Sequence, residues 1–126
     1  MSFEARRLLP GDDLRGALQA LAGTGFVVAD IGSLSQAQIR LAEASEPTFI
    51  AGPLEILSLS GSLTPDGVHL HIAVSDAAGH VLGGHVCAGC VVRTTAELLL
   101  APLPPGTLSR AVDPATGYAE LIVREA

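Results

Sequence analysis

Apolar and polar residues alternate through most of the second half of the chain. The alternation covers residues 54–63, 68–75, 80–87 and 91–100, and two shorter segments at 107–112 and 118–123. Because successive side chains of a strand point to opposite faces, this pattern predicts half-buried β-strands. Turn sequences such as Thr64-Pro65-Asp66-Gly67 and Asp76-Ala77-Ala78-Gly79 separate consecutive strands. The short turns favour an antiparallel sheet.

The first half of the chain predicts one helix between two strands. Residues 3–9 are typical of a short strand, and Asp12 is a candidate N-cap for the helix that follows. Four apolar residues at helical spacing predict about three amphipathic turns: Leu14, Ala17, Leu18 and Leu21. We expect the helix to end at Gly23 and Gly25, before a buried strand at residues 26–31.

The segment 32–41 has two interpretations. It either starts a second short helix at Gly32-Ser33 or forms a strand. Ile39 and Leu41 alternate with polar residues, which favours the strand. Residues 42–48 are polar and predict a loop. The whole pattern predicts an α+β fold in which one helix accompanies an antiparallel sheet.

Three histidines give the chain its most specific chemistry. His69 and His71 lie two residues apart in a predicted strand and therefore project from the same face. Across the turn at Ala77-Ala78 the paired residue numbers should sum to about 155, which places His85 opposite Leu70 and in diagonal reach of both. The register is open to a one-residue slip, which changes the face. Three neutral imidazoles suit zinc or another divalent metal, whereas the alternative is that they pack or face solvent without metal.

The residues around the histidines suggest further roles. Gly83 and Gly84 lack side chains, so we expect another group to approach their backbone closely. His80 borders the turn and is expected to face solvent. Cys87 and Cys90 form a lone C-x-x-C, and because a strand follows it rather than a helix, a thioredoxin-like role is disfavoured. Cys87 shares the parity of His85 and is a weak candidate for a fourth ligand.

Glu55 and Glu97 are the candidate catalytic residues. Both interrupt otherwise apolar strands. Either could orient a histidine N–H or act as a general base. The simpler interpretation is that each pairs with an arginine such as Arg93 or faces solvent.

Composition limits the class of protein. The 126 residues suffice for one domain with a hydrophobic core. Only 16% of them are charged, against about a quarter in typical soluble domains, so part of the surface is expected to pack against copies of the chain. The net charge is −6, with seven arginines and no lysine, which opposes direct DNA binding. Neither a secretory leader nor a membrane-spanning stretch is recognisable, so we expect a cytoplasmic protein whose two cysteines are reduced.

Several segments resemble the PPC domain, named for its conservation in plants and prokaryotes. They are residues 7–14, 31–34, 54–63, 69–76, 79–86 and 90–97, which together represent nearly the whole chain. The most specific part is the H-x-H…G-G-H spacing followed by Thr95-Ala96-Glu97. The resemblance implies that residues 1–126 form a single PPC-like domain. It also implies a strongly curved antiparallel sheet with one principal helix, assembled as a homotrimer.

The resemblance further implies a metal, zinc, on His69, His71 and His85, since some prokaryotic members hold one on these histidines. Glu97 matches the glutamate of the family's T-A-E motif. Plant members gain DNA binding from a preceding AT-hook, which this chain lacks, and free-standing prokaryotic members have no settled activity. Three functions therefore stay open. They are a trimer with a metal site that could be catalytic, a DNA-associated or regulatory assembly module, and a purely structural trimer.

Overall fold

A computed structural model describes residues 2–21 and 23–125 of the chain. This part contains eight strands and one helix. In chain order they are β1 Glu4–Leu8, α1 Leu14–Ala20, β2 Gly25–Arg40, β3 Thr48–Thr64, β4 Gly67–Ser75, β5 Val81–Val86, β6 Val91–Pro102, β7 Leu108–Val112 and β8 Ala119–Val123.

Six strands form one antiparallel sheet in the order β1-β6-β2-β3-β4-β5. The sheet curves until β5 also pairs with β2, through Ile39 opposite Val86 and Arg40 opposite His85. Strands β2 to β5 thus close on themselves, while β6 and β1 extend the sheet from β2. The prediction of a strongly curved antiparallel sheet with one principal helix is confirmed.

The core lies inside this curved sheet and beneath the helix. In β4, Val68, Leu70, Ile72 and Val74 are buried, whereas His69 and His71 between them are exposed. Burial of each such apolar side chain stabilises the fold by about 1.5–3 kcal/mol. The alternation that marks β4 in the sequence therefore turns its apolar face to the core and its histidines outward.

The segment 32–41 is a strand, as its alternation favours. It continues β2, with Leu34, Ala37 and Ile39 fully buried. The predicted loop at 42–48 is confirmed except that β3 already begins at Thr48. The length of β2 allows it to pair with β3, β5 and β6 along different stretches.

The helix differs from its prediction at both ends. Its N-cap is Asp13, whose side chain accepts a hydrogen bond from the Gly16 amide at 2.8 Å. Asp12 instead accepts a hydrogen bond from the Leu9 amide at 2.8 Å and so closes the preceding turn. The helix has seven residues and buries Leu14 and Leu18, so the prediction of about three turns was too long. Within the described ranges no helix has the length and apolarity needed to cross a membrane.

The last two strands form a separate hairpin against the outer side of the sheet. β7 pairs with β8, from Leu108 opposite Val123 to Val112 opposite Ala119. Arg110 fixes the hairpin to the sheet, since its amide donates to Asp66 at 3.0 Å and its guanidinium donates to Ser62 at 2.6 Å. This contact brings β7 and β8 beside the histidine-bearing part of β4.

Two glycines in β5 allow neighbouring strands to come close. A Cβ on Gly84 would lie 2.6 Å from the carbonyl oxygen of Arg40 in β2, and one on Gly83 would lie 2.8 Å from that of Ile72 in β4. Real Cβ atoms do not approach carbonyl oxygens this closely. The predicted close approach to Gly83 and Gly84 is therefore confirmed, and the approaching groups are the backbones of β2 and β4.

We predict that Gly84→Ala destabilises the fold, because the new methyl group overlaps the Arg40 backbone. The expected loss is about 1–3 kcal/mol of unfolding free energy in urea titrations at matched protein concentration. Gly23→Ala is the control, since a Cβ there would lie 3.9 Å from its nearest neighbour. Equal loss in the two variants would show that the contact between β5 and β2 does not require glycine.

Asp30 is the least satisfied polar residue in the described part of the chain. Both of its carboxylate oxygens are buried and have no hydrogen-bond partner. It lies opposite the buried Leu98 in the ladder between β2 and β6. Burial, and then the negative charge of Glu97, raise the pKa of Asp30 to about 6. The native state therefore favours the neutral acid.

We predict that Asp30 makes the protein less stable as the pH rises. The pKa of about 6 in the folded state exceeds the ordinary value of 3.8, so its stabilising contribution is complete below about pH 4 and is lost by about pH 6. The loss is on the order of 1–3 kcal/mol, with allowance for partial solvent screening. Asp30→Asn should flatten this part of the stability profile in urea titrations between pH 4 and pH 7. The exposed Glu46→Gln is the control, and an identical profile for Asp30→Asn would contradict the assignment.

Candidate metal centre

Strand parity places His69 and His71 on the outer face of β4. Their neighbours Leu70 and Ile72 point into the core, so the two imidazoles project together on the opposite side. His69 lies opposite Ser62 and His71 opposite Ser60 in β3. Small side chains in β3 leave room for the rings beside them.

His85 joins this face through a register that differs from the predicted one. β4 and β5 pair with His71 directly opposite His85, so paired residue numbers sum to 156 and not 155. The alternative register was therefore the right one, and His85 faces His71 rather than Leu70. The tighter turn between the strands explains the difference, since Asp76 accepts hydrogen bonds from the amides of Ala78 and His80 at 2.9 and 2.8 Å.

The three imidazoles form a compact group. The ring centroids of His71 and His85 are 4.6 Å apart, those of His69 and His71 are 5.2 Å apart, and those of His69 and His85 are 5.4 Å apart. One nitrogen of each ring lies within 4.8 Å of the corresponding nitrogens of the other two. Two nitrogens bound to the same zinc ion are about 3.4 Å apart, so small ring rotations bring all three to ligand distance. The set fits a divalent metal with a coordination position left for water or another ligand.

The surroundings keep two of the rings neutral. Burial, followed by the positive charge of Arg110, lowers the pKa of His69, against which Glu120 acts weakly in the other direction. Burial, followed by the charge of Arg40, lowers the pKa of His85. A metal binds the neutral imidazole, so these shifts extend the ligand form to lower pH.

A cavity of about 800 Å³ adjoins the histidines. His69 and His85 form part of its wall, with Arg15 from α1, Arg40 from the end of β2, and Arg110 from β7. The loop residue Glu43 and the β8 residue Glu120 contribute carboxylates, and Tyr118 lies beside the hairpin. The site is thus built from five separate parts of the chain.

The two cysteines are structural in this arrangement. Cys87 and Cys90 are both free and flank the turn between β5 and β6. The Cys90 thiol is fully buried, lies 3.4 Å from the Gln38 carbonyl oxygen, and has its pKa raised by burial. A raised pKa opposes thiolate chemistry. Cys87 does not join the ligand group, which comprises the three histidines among the residues described.

The candidate carboxylates Glu55 and Glu97 lie elsewhere. Both are exposed, on β3 and β6, and neither contributes to the wall of the cavity. Their catalytic role stays a prediction. His80 is exposed as expected and lies 3.2 Å from the Asp76 carboxylate at the hairpin turn.

Sequence reasoning missed the charged residues that surround the histidines. Arg15, Arg40 and Arg110 are separated by tens of residues and look scattered along the chain. Only the closure of β5 onto β2 and the docking of the β7–β8 hairpin bring them together. No local pattern signals these contacts, although arginine as the sole basic residue type is visible in the composition.

Comparison with known proteins identifies a family for most of the chain. Residues 5–104 match the model of the Plants and Prokaryotes Conserved (PCC) domain. The bifunctional protein GlmU of Synechococcus sp. strain JA-3-3Ab is 52% identical over 124 residues, which represent 94% of this chain and 20% of that protein. The chain therefore spans about a fifth of the length of the curated relatives it matches.

Solved structures agree with the fold. A hypothetical protein from Salmonella cholerae-suis is 40% identical and has a TM-score of 0.92, with 98% of this chain and 93% of that chain covered. A metal-containing protein from Archaeoglobus fulgidus is 27% identical with a TM-score of 0.75 over 97% and 94% of the two chains. A protein from Ralstonia eutropha, provisionally named as DNA-binding, is 24% identical with a TM-score of 0.81 over 95% and 90%, which demonstrates likeness of fold alone.

Proposed function

Because this chain belongs to the Plants and Prokaryotes Conserved domain family, we propose that it is a homotrimeric protein that holds a divalent metal, zinc, on His69, His71 and His85. Its 126 residues act as a single domain of this family. The bound metal would supply a Lewis acid with an open coordination position. Whether that position serves a reaction depends on the ligand that enters the adjoining cavity.

One observation carries the metal proposal. Three imidazole nitrogens from two adjacent strands lie within 4.8 Å of one another on the outer face of the sheet. Two of the rings have lowered pKa values, so crowding does not protonate them near neutral pH. The metal content of the Archaeoglobus fulgidus protein, a relative of similar fold, adds support.

We predict that protein purified without chelator carries about one zinc ion per chain, measured by plasma mass spectrometry. His69→Ala should weaken binding at least about 100-fold, because removal of a ligand costs more than removal of a group that only orients one. His80→Ala is the matched control, since His80 is an exposed histidine in the same hairpin. Metal content well below one per chain and equal in both variants would contradict the proposal.

The trimer proposal rests on apolar side chains that the single chain leaves in solvent. Ile31 on β2 is 66% exposed and Leu57 on the adjacent β3 is 54% exposed, although both strands lie within the sheet rather than at its edge. Exposed apolar groups on central strands favour burial against another subunit. Closed rotational symmetry is the usual way for identical chains to achieve this.

Light scattering should give a molar mass about three times the 12.8 kDa of one chain. Ile31→Arg should shift the protein towards monomer, because it places a charge in the subunit contact. Val123→Arg should leave the trimer intact, since Val123 is similarly exposed at 70% but lies in the terminal hairpin. A wild-type mass of one chain would refute the trimer.

A DNA-associated or regulatory assembly module is the second candidate function. The provisional name of the Ralstonia eutropha protein favours it. The net charge of −6 acts against it, because a protein must neutralise phosphates to bind DNA directly. We therefore propose contact between copies of the chain and no direct contact with nucleic acid or membrane. Two free cysteines fit the expected reducing cytoplasm.

A further inference from the structure

The arginines of this chain divide into two groups. Arg15, Arg40 and Arg110 are half-buried and line the cavity beside the histidines. The other four are exposed: Arg6, Arg7, Arg93 and Arg124. In a chain with a net charge of −6 and no lysine, nearly half of all basic side chains thus converge on one cavity.

Neutral acceptors hold the three cavity arginines in place. Arg15 donates to the carbonyl oxygens of Val68 and Val86, both at 3.4 Å. Arg40 donates to the Ala44 carbonyl oxygen at 3.2 Å, and Arg110 donates to the Ala119 carbonyl oxygen at 3.2 Å and to the Ser62 hydroxyl at 2.6 Å. These bonds orient the guanidinium groups without neutralising them.

No carboxylate forms an ion pair with these arginines in the described part of the chain. The ion pairs found there join Arg6 to Glu4 and His80 to Asp76, both away from the cavity wall. Glu43 and Glu120 also line the cavity, but neither lies within 4.0 Å of a cavity guanidinium. Three positive and two negative side chains leave the wall positively charged, in contrast to the chain as a whole.

We propose that this cavity binds a small molecule through an oxyanion group, a carboxylate or a phosphate, held by Arg15, Arg40 and Arg110. The planar guanidinium fork matches both groups and forms charge-assisted hydrogen bonds with them. The volume of about 800 Å³ is suitable for a small organic ligand and exceeds what an inorganic ion alone requires.

The arginine-lined cavity also deepens the proposed metal function, on which this part of the inference rests. His69 and His85 belong both to the ligand group and to the cavity wall. A ligand anchored by the arginines therefore has the metal position within reach. The inference names the ligand class of that site: a small anionic molecule whose second polar group approaches the three histidines.

The test measures binding of two oxyanions to the full chain by calorimetry. Inorganic phosphate and acetate are titrated separately, because their relative affinities distinguish a phosphate site from a carboxylate site. Acetamide has the size of acetate without its charge and serves as the ligand control. Each titration is done on metal-loaded and on chelator-treated protein, with metal content and melting temperature recorded for every sample.

Arg40→Gln and Arg110→Gln should each weaken binding of the preferred anion about tenfold or more, as expected for loss of one charge-assisted hydrogen bond. Arg93→Gln is the matched control, since Arg93 is exposed and lies outside the cavity wall. Arg110→Lys retains the charge without the fork and should give intermediate affinity. Folding is checked by the melting temperature, because Arg110 also fixes the terminal hairpin.

The outcomes separate this inference from the metal proposal. Arginine-dependent anion binding to protein that retains no metal would uphold the oxyanion site and refute the metal centre. Normal metal content with no binding of either anion would overturn the oxyanion site and leave the metal centre standing. Equal affinity in Arg40→Gln, Arg110→Gln and Arg93→Gln, or equal binding of acetamide and acetate, would also overturn it.

Discussion

The pairing of β5 with β2 is the contact on which the rest of the structure depends. It closes the sheet, places Arg40 opposite His85, and sets one wall of the cavity beside the histidines. The contact requires glycine at position 84, because any side chain there would overlap the backbone of β2. The family's G-G-H spacing thus has a physical reason: two glycines admit the neighbouring strands, and the histidine after them completes the ligand group.

Most strands follow directly from the alternation of apolar and polar residues. In β4 each buried residue alternates with an exposed one, so the sequence shows both the strand and the face that carries His69 and His71. The helix is harder to place, because Asp12 and Asp13 are equally plausible caps and only the fold directs one of them to Gly16 and the other to Leu9. The same limit applies to the hairpin register, which depends on the hydrogen bonds of Asp76 within the turn.

The candidate site could be predicted in part. Strand periodicity pairs His69 with His71, and the family resemblance adds His85. The charges around them could not be predicted, because Arg15, Arg40 and Arg110 come from a helix, a strand end and a terminal hairpin that meet only in the folded chain. Glu55 and Glu97 attract attention in the sequence because they interrupt apolar strands, yet both side chains face solvent away from the cavity.

The central claim is that His69, His71 and His85 together hold one divalent metal ion. Anomalous X-ray diffraction above and below the zinc absorption edge, on crystals grown without chelator, tests it most directly. We predict a peak that appears only above the edge and lies about 2.0–2.1 Å from one nitrogen of each ring. Well-ordered imidazoles with no anomalous peak between them, and with water or direct hydrogen bonds in its place, would contradict the claim.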